Sequence, residues 1–156
     1  MNRFLLLFSL CLFLSWPAAA NQITEIRPLG FGTFTITDNS SPHSIVVSPN
    51  GVTSTPDGGI HRLQAGNNAV FRITQLNPAT LFYITIDPTT ITHVSGAPSF
   101  TIDSFTFDPP NDINNTIHTD PDASLLINIG ATLHTLAGTP HHAGAYRGTY
   151  TFMINY

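Results

Sequence analysis

Seven histidines are the side chains of this sequence best suited to chemistry, and His134, His141 and His142 form the closest set. The pair lies in a Gly/Pro loop that can fold back on the run before it, which would bring imidazoles together as zinc ligands. No Cys or carboxylate stands beside them at ligand spacing, so the expectation is solvated loop histidine and no metal site. His43, His61, His93 and His118 are scattered among turns and pair with nothing in sequence. Asp108, Asp112, Asp120 and Asp122, with Asn111, Asn114 and Asn115, crowd one long loop whose oxygens would suit calcium. The loop lacks acidic ligands alternating around a glycine, and Asp or Asn beside Pro is an ordinary turn former. Asp120 and Asp122 could do acid/base work, but no partner for them is identifiable. Neither a Gly-x-Ser-x-Gly elbow, a phosphate loop, a dinucleotide glycine set nor a paired helical His motif occurs, so no catalytic residue, no cofactor and no enzyme activity is expected.

The single cysteine, Cys11, and the complete absence of Lys narrow the chemistry further. Cys11 falls in an N-terminal stretch that reads as an export signal: Met1-Asn2-Arg3 is the positive start, Phe4 to Trp16 the apolar run, and Ala18-Ala19-Ala20 a small-residue cleavage site after Pro17. Cleavage leaves residues 21–156 as one domain without a thiol, which excludes disulfides, thiolate metal sites and cysteine nucleophiles together. No Schiff-base lysine or lysine crosslink is available either. The apolar run is shorter than the roughly 18 residues of a membrane span, and no basic stop-transfer cluster follows. The chain is therefore expected to be exported to the periplasm, cell surface or medium, with no membrane contact after processing. Five Lys+Arg against nine Asp+Glu, a net charge of −4, exclude a basic nucleic-acid footprint. Asn39-Ser40-Ser41 and Asn114-Asn115-Thr116 match the glycosylation triplet, which matters only in a eukaryotic secretory route.

These side chains must be positioned by strands. Short alternating runs rich in Thr, Ile, Val, Phe and Tyr recur between Pro, Gly and Asn, and no stretch carries apolar residues at helical spacing over three turns. The runs are Gly32 to Thr37, Ser44 to Ser48, Ala69 to Gln75, Thr80 to Ile86, Phe100 to Phe107, Leu125 to Thr135 and Tyr146 to Tyr156, which predicts an all-β antiparallel sandwich of about seven strands, immunoglobulin-like in size. In the last run Tyr146, Tyr150, Phe152, Ile154 and Tyr156 face the core, with Arg147, Thr149, Thr151 and Asn155 on the wet side. Leu125, Ile127, Ile129 and Leu133 form a second inward row, and Phe82, Ile84 and Ile86 a third. Phe100 and Ile102 are out of phase with Phe105 and Phe107, which predicts a bulge or sheet switch near Asp103-Ser104. The strongest run extends to the final residue, so the edge beside it is either protected or used for pairing with another chain.

Three segments in order, Pro28-Leu29-Gly30-Phe31-Gly32-Thr33-Phe34, Ile129-Gly130-Ala131-Thr132-Leu133 and Gly144-Ala145-Tyr146-Arg147-Gly148-Thr149-Tyr150-Thr151-Phe152-Met153-Ile154-Asn155-Tyr156, carry a resemblance. They are similar to a bacterial exported family, domain of unknown function 4402, marked by Leu-x-Phe-Gly, Ile/Val-Gly-Ala-x-Leu and a terminal Gly-x-Tyr-x-Gly run ending in Asn-Tyr. The resemblance implies an immunoglobulin-like sandwich from Gram-negative bacteria and no catalytic residues. Its ending resembles spore-coat-U and fimbrial subunits, which polymerise by donating an N-terminal strand. Such subunits carry a long alternating extension before Leu-x-Phe-Gly, whereas only Asn21 to Arg27 precedes Pro28 here. At about 3.3 Å per residue that segment fills part of a groove, and Ile23 and Ile26 fall on opposite faces. An acceptor-only end subunit, a minor subunit and a self-contained monomer remain open.

The sequence thus leads to an exported, non-enzymatic structural or adhesive surface protein, a pilin-like subunit assembling by β-strand complementation. Homologous subunits are the expected partners through edge-strand pairing, with Tyr146, Tyr150, Phe152, Ile154 and Tyr156 as the assembly strand and core face. The rival reading is a stand-alone periplasmic or secreted β-sandwich binding module for a metal ion or glycan, using the His141-His142 loop or the Asp108 to Asp122 loop. No small-molecule ligand is identifiable from the residues.

Overall fold

Alternation of β-branched and aromatic residues with polar ones builds most strands of the computed structural model, which describes residues 22–74, 83–108 and 125–155. In chain order the strands are β1 (Gln22–Arg27), β2 (Thr33–Ile36), β3 (Ser44–Val47), β4 (Thr53–Ser54), β5 (Ile60–Gln64), β6 (Ala69–Thr74), β7 (Tyr83–Ile86), β8 (Thr89–His93), β9 (Gly96–Asp108), β10 (Leu125–His134), β11 (Tyr146–Arg147) and β12 (Phe152–Asn155). The stretch expected to be an export signal, the greater part of the Asp108 to Asp122 loop, Phe82, His118 and Tyr156 lie outside the described residues.

Each pairing is antiparallel. The main sheet has the order β1-β6-β10-β9-β8-β11, with β3 attached to β10 and β4 to β3, and it curls into half a barrel. Two ribbons, β12-β7 and β2-β5, complete the fold. β10 is the axis: Leu125 to Ile129 pair with β6, Ala131 to His134 with β3, and Asn128 to His134 with β9 on the other side. Gly130 stands where the partner changes, and a Cβ there would run into the Val47 carbonyl. Only a residue without a side chain lets β3 close in at that point.

The predicted irregularity in β9 is present. Pairing with β10 steps from Gly130↔Thr106 to Thr132↔Asp103, and Ser104 takes a φ of 51°. A strand alternates its side chains with period 2, so the extra residue rotates one half of β9 against the other. That lets Phe100 and Ile102 on one side and Phe105 and Phe107 on the other all turn inward, despite opposite phases in sequence.

Two apolar clusters result. Ala69, Phe71, Ile73, Ile84, Ile127 and Ile129 form one, against which Ile86, Phe152 and Ile154 of the β7-β12 ribbon pack. The other joins Phe31, Ile45, Val47, Ile60, Phe100, Ile102, Ala131 and Leu133, with Phe34 and Ile36 of β2 against it. Burying one Ile or Phe contributes about 1.5–3 kcal/mol, so each cluster outweighs any surface ion pair in the molecule.

Strand count and continuity depart from expectation. Residues 146–156 are not one strand: β11 pairs with β8, β12 pairs with β7, and Gly148 to Thr151 between them belong to no strand. Alternation reports where side chains point and not which neighbour the backbone bonds, so one alternating run can serve two sheets. β1, β4, β5 and β8 are additional strands.

Candidate binding groove

A groove of about 1060 Å³ lies between Pro28–Ile36 and His141–Tyr150, at the upper limit of the size of ligand clefts. Its floor is core: Ile91, Phe100, Ile102 and Leu133. Residues of β5 do not line it, so it lies on the side of β2 away from its ribbon partner. β11 ends the main sheet, and its outer side has no strand partner among the described residues. Two unpaired strand edges therefore flank an apolar floor.

Both walls are anchored from behind. Gly30 and Asn67 exchange backbone hydrogen bonds of 2.9 and 2.7 Å, and the Asn67 Nδ2 donates to the Pro28 carbonyl at 2.6 Å. On the opposite wall Thr89 Oγ1 donates to the Thr149 carbonyl at 2.8 Å, and Tyr146 Oη to that of His142 at 2.9 Å. Gly148 packs so tightly on the Thr90 carbonyl that a Cβ would collide with it. Phe34 and Tyr146 both meet Phe100, with ring centroids 5.8 and 4.5 Å away, whereas Tyr150 packs on the first cluster and Leu29 reaches it from between the two. Residue numbers thus rise along one wall as they fall along the other, and the walls are antiparallel.

His141 covers part of the floor, its ring stacked on Phe100 at 4.4 Å and 13°. Both ring nitrogens are shut off from solvent without a hydrogen-bond partner, as is the Tyr150 hydroxyl. Each such group costs about 1–3 kcal/mol of lost hydration. Burial pushes the His141 pKa below its ordinary value, a pull that the nearby Leu136 carbonyl partly offsets. Burial also pushes the Tyr150 phenol up to about 12, helped by the charge of Glu25.

Of the residues expected to form the assembly face, Tyr146 and Tyr150 line the groove. Phe152 and Ile154 sit instead against the first cluster, where Phe152 stacks on Phe71 at 4.9 Å and 9°. The other wall, Leu29 to Ile36, was visible in sequence as a motif and, from Gly32, as a strand run that became β2.

The histidines do not converge. His134 Nε2 contacts Asp103 Oδ1 at 3.0 Å, whereas His141 stacks on Phe100. His142 meets His93 edge-on at 5.9 Å, and His93 meets Tyr146 at 5.1 Å. No group of three His, Cys, Asp or Glu suited to a metal occurs among the described residues. Ser104 Oγ donates to Asp103 Oδ1 at 2.8 Å, so hydroxyl and imidazole both bond the carboxylate rather than each other. A nucleophile–base relay needs the hydroxyl on the imidazole, and this order does not supply it. His43, expected to pair with nothing, is buried beneath Gly59 with its Nε2 3.6 Å from Asp38. The Ser40 N–H, which bonds Asp38, holds that carboxyl below its ordinary pKa.

Comparison with curated proteins and with solved structures gave no match. A family model does match, over residues 22–156, and it is described as Domain of unknown function (DUF4402). Both groove walls and the whole described fold fall inside that match, and the chain belongs to this family.

Proposed function

We propose that this chain is an exported, pilin-like structural or adhesive surface subunit of a Gram-negative bacterium, built as an immunoglobulin-like sandwich that lacks one strand. It acts by accepting a β-strand from another polypeptide between Pro28–Ile36 and His141–Tyr150. One observation carries the reading: core residues floor a groove whose antiparallel, anchored walls carry the outer edges of β2 and of the two-residue β11, which have no strand partner among the described residues. A strand laid there would gain backbone hydrogen bonds on both sides and bury its alternate side chains on Phe100, Ile102 and Leu133, which is the physics of strand addition. The buried polar atoms of His141 and Tyr150 that lack partners agree with a lining that is not at rest without its occupant. β1 pairs with β6 of its own chain, which favours an accepting role over a donating one.

The test is electrophoresis of the protein recovered from an exporting host, without heating and beside a boiled sample. Complexes that survive the detergent cold and collapse on boiling are expected from strand complementation. A single monomer band in both lanes, with cooperative melting in solution, would contradict it.

A further inference from the structure

The charge of the groove is at odds with the charge of the chain. Nine acidic residues outnumber five basic ones overall, yet the groove lining contains Arg147 and neither Asp nor Glu. Arg147 lies towards the Tyr146 end. Negative charge stands beyond the other end: Glu25 is opposite Phe71 in the β1-β6 ladder, and the Phe71 ring meets Tyr150 edge-on at 6.3 Å. Arg147 and Glu25 thus stand towards opposite ends of the groove.

We propose that the occupant is an extended strand of another polypeptide, with alternating apolar side chains towards the floor and a carboxylate side chain placed over Arg147. The inference rests on the strand-accepting reading of the groove and adds the chemistry of the partner. Apolar positions supply affinity by covering Phe100, Ile102 and Leu133, and the carboxylate sets direction. Reversed, the strand would carry its acid towards Glu25 and leave Arg147 unpaired, and like charges disfavour that arrangement. Because the walls are antiparallel, the strand runs parallel to one and antiparallel to the other, so charge is the feature that tells the two directions apart.

The experiment measures anisotropy of fluorescein-labelled octapeptides with the full chain at low ionic strength. The peptides alternate Val and Thr, have capped termini, and span about 26 Å when extended. One pair carries Glu or Lys near the N-terminus, a second pair near the C-terminus. In one of the two pairs, the Glu peptide is expected to bind about fivefold tighter than its Lys counterpart, the scale of an exposed ion pair gained against a repulsion. Arg147→Glu should reverse that order and Arg147→Gln erase it, and 0.5 M salt should shrink it. Glu and Lys peptides binding within about twofold of each other in both pairs would overturn the charge inference and leave the groove reading standing. Failure of every peptide to bind would overturn both.

Discussion

The two ends of β10 carry apolar clusters of similar make-up and meet different fates. Around Leu125 to Ile129 the β7-β12 ribbon packs on the sheet, with Phe152 stacked on Phe71 and Ile84 sealed to 1% exposure. Around Ala131 to His134 the β2-β5 ribbon covers part of the sheet and leaves a groove along its free edge, with a histidine ring standing where an apolar side chain would fit. Apolar composition therefore does not distinguish a finished core from an interaction site. What does is coverage: Phe152 and Ile154 close over the first cluster, whereas a groove lies open between the outer edges of β2 and β11, which have no strand partner among the described residues.

The contrast predicts effects of graded size. Ile84→Asp at the closed end should abolish folding, because a charge there has neither water nor partner. The same replacement at half-buried Ile36 on the groove wall should leave a folded protein, by circular dichroism and cooperative melting. With alanine instead, Ile84 should cost about 2–5 kcal/mol in urea unfolding, and Ile36 clearly less, since its side chain is already partly in water. Equal losses at both sites would break the distinction between the ends.

His141 gives a finer test. His141→Leu keeps an apolar contact with Phe100 and removes two nitrogens that lack partners, so stability at pH 7.5 should rise by about 1 kcal/mol. Its pKa is depressed in the folded chain. As pH falls below about 6.5 the unfolded state takes the proton first, so stability should fall with acid until the folded-state pKa is passed. Thermal melts between pH 7.5 and 5.5 should show this slope in the wild type and a smaller one in His141→Leu. Loss from the lowered carboxyl of Asp38 comes later, below about pH 4. The smallest effect is expected at Met153, which alternates with the core residues of β12 and faces water: Met153→Thr should change stability by no more than about 0.5 kcal/mol.

Legibility in the sequence followed side-chain phase. The β9 bulge could be read because a two-residue period that fails between Ile102 and Phe105 must be repaired by the backbone. The inward rows of β10 and β12 were readable for the same reason. β1 and β8 were not: Gln22 to Arg27 exposes every side chain, and Thr89 to His93 offers one apolar residue among polar ones, so neither shows a face. The division of residues 146–155 between two sheets is a matter of long-range pairing, which alternation does not encode. The groove was half legible, since Leu29, Phe31, Tyr146 and Tyr150 stood out by type. Their convergence depends on chain segments more than a hundred residues apart in sequence lying side by side with unpaired edges.

Amide hydrogen exchange tests the claim of one closed and one open end most directly. In the chain alone, Ile84 to Ile86 and Phe152 to Asn155 should be protected while amides of Thr33 to Ile36 and Gly148 to Thr151 that face the groove exchange fast, and the bound octapeptide should slow the second set alone. Equal protection of both sets in the free chain, or no slowing on binding, would contradict the account.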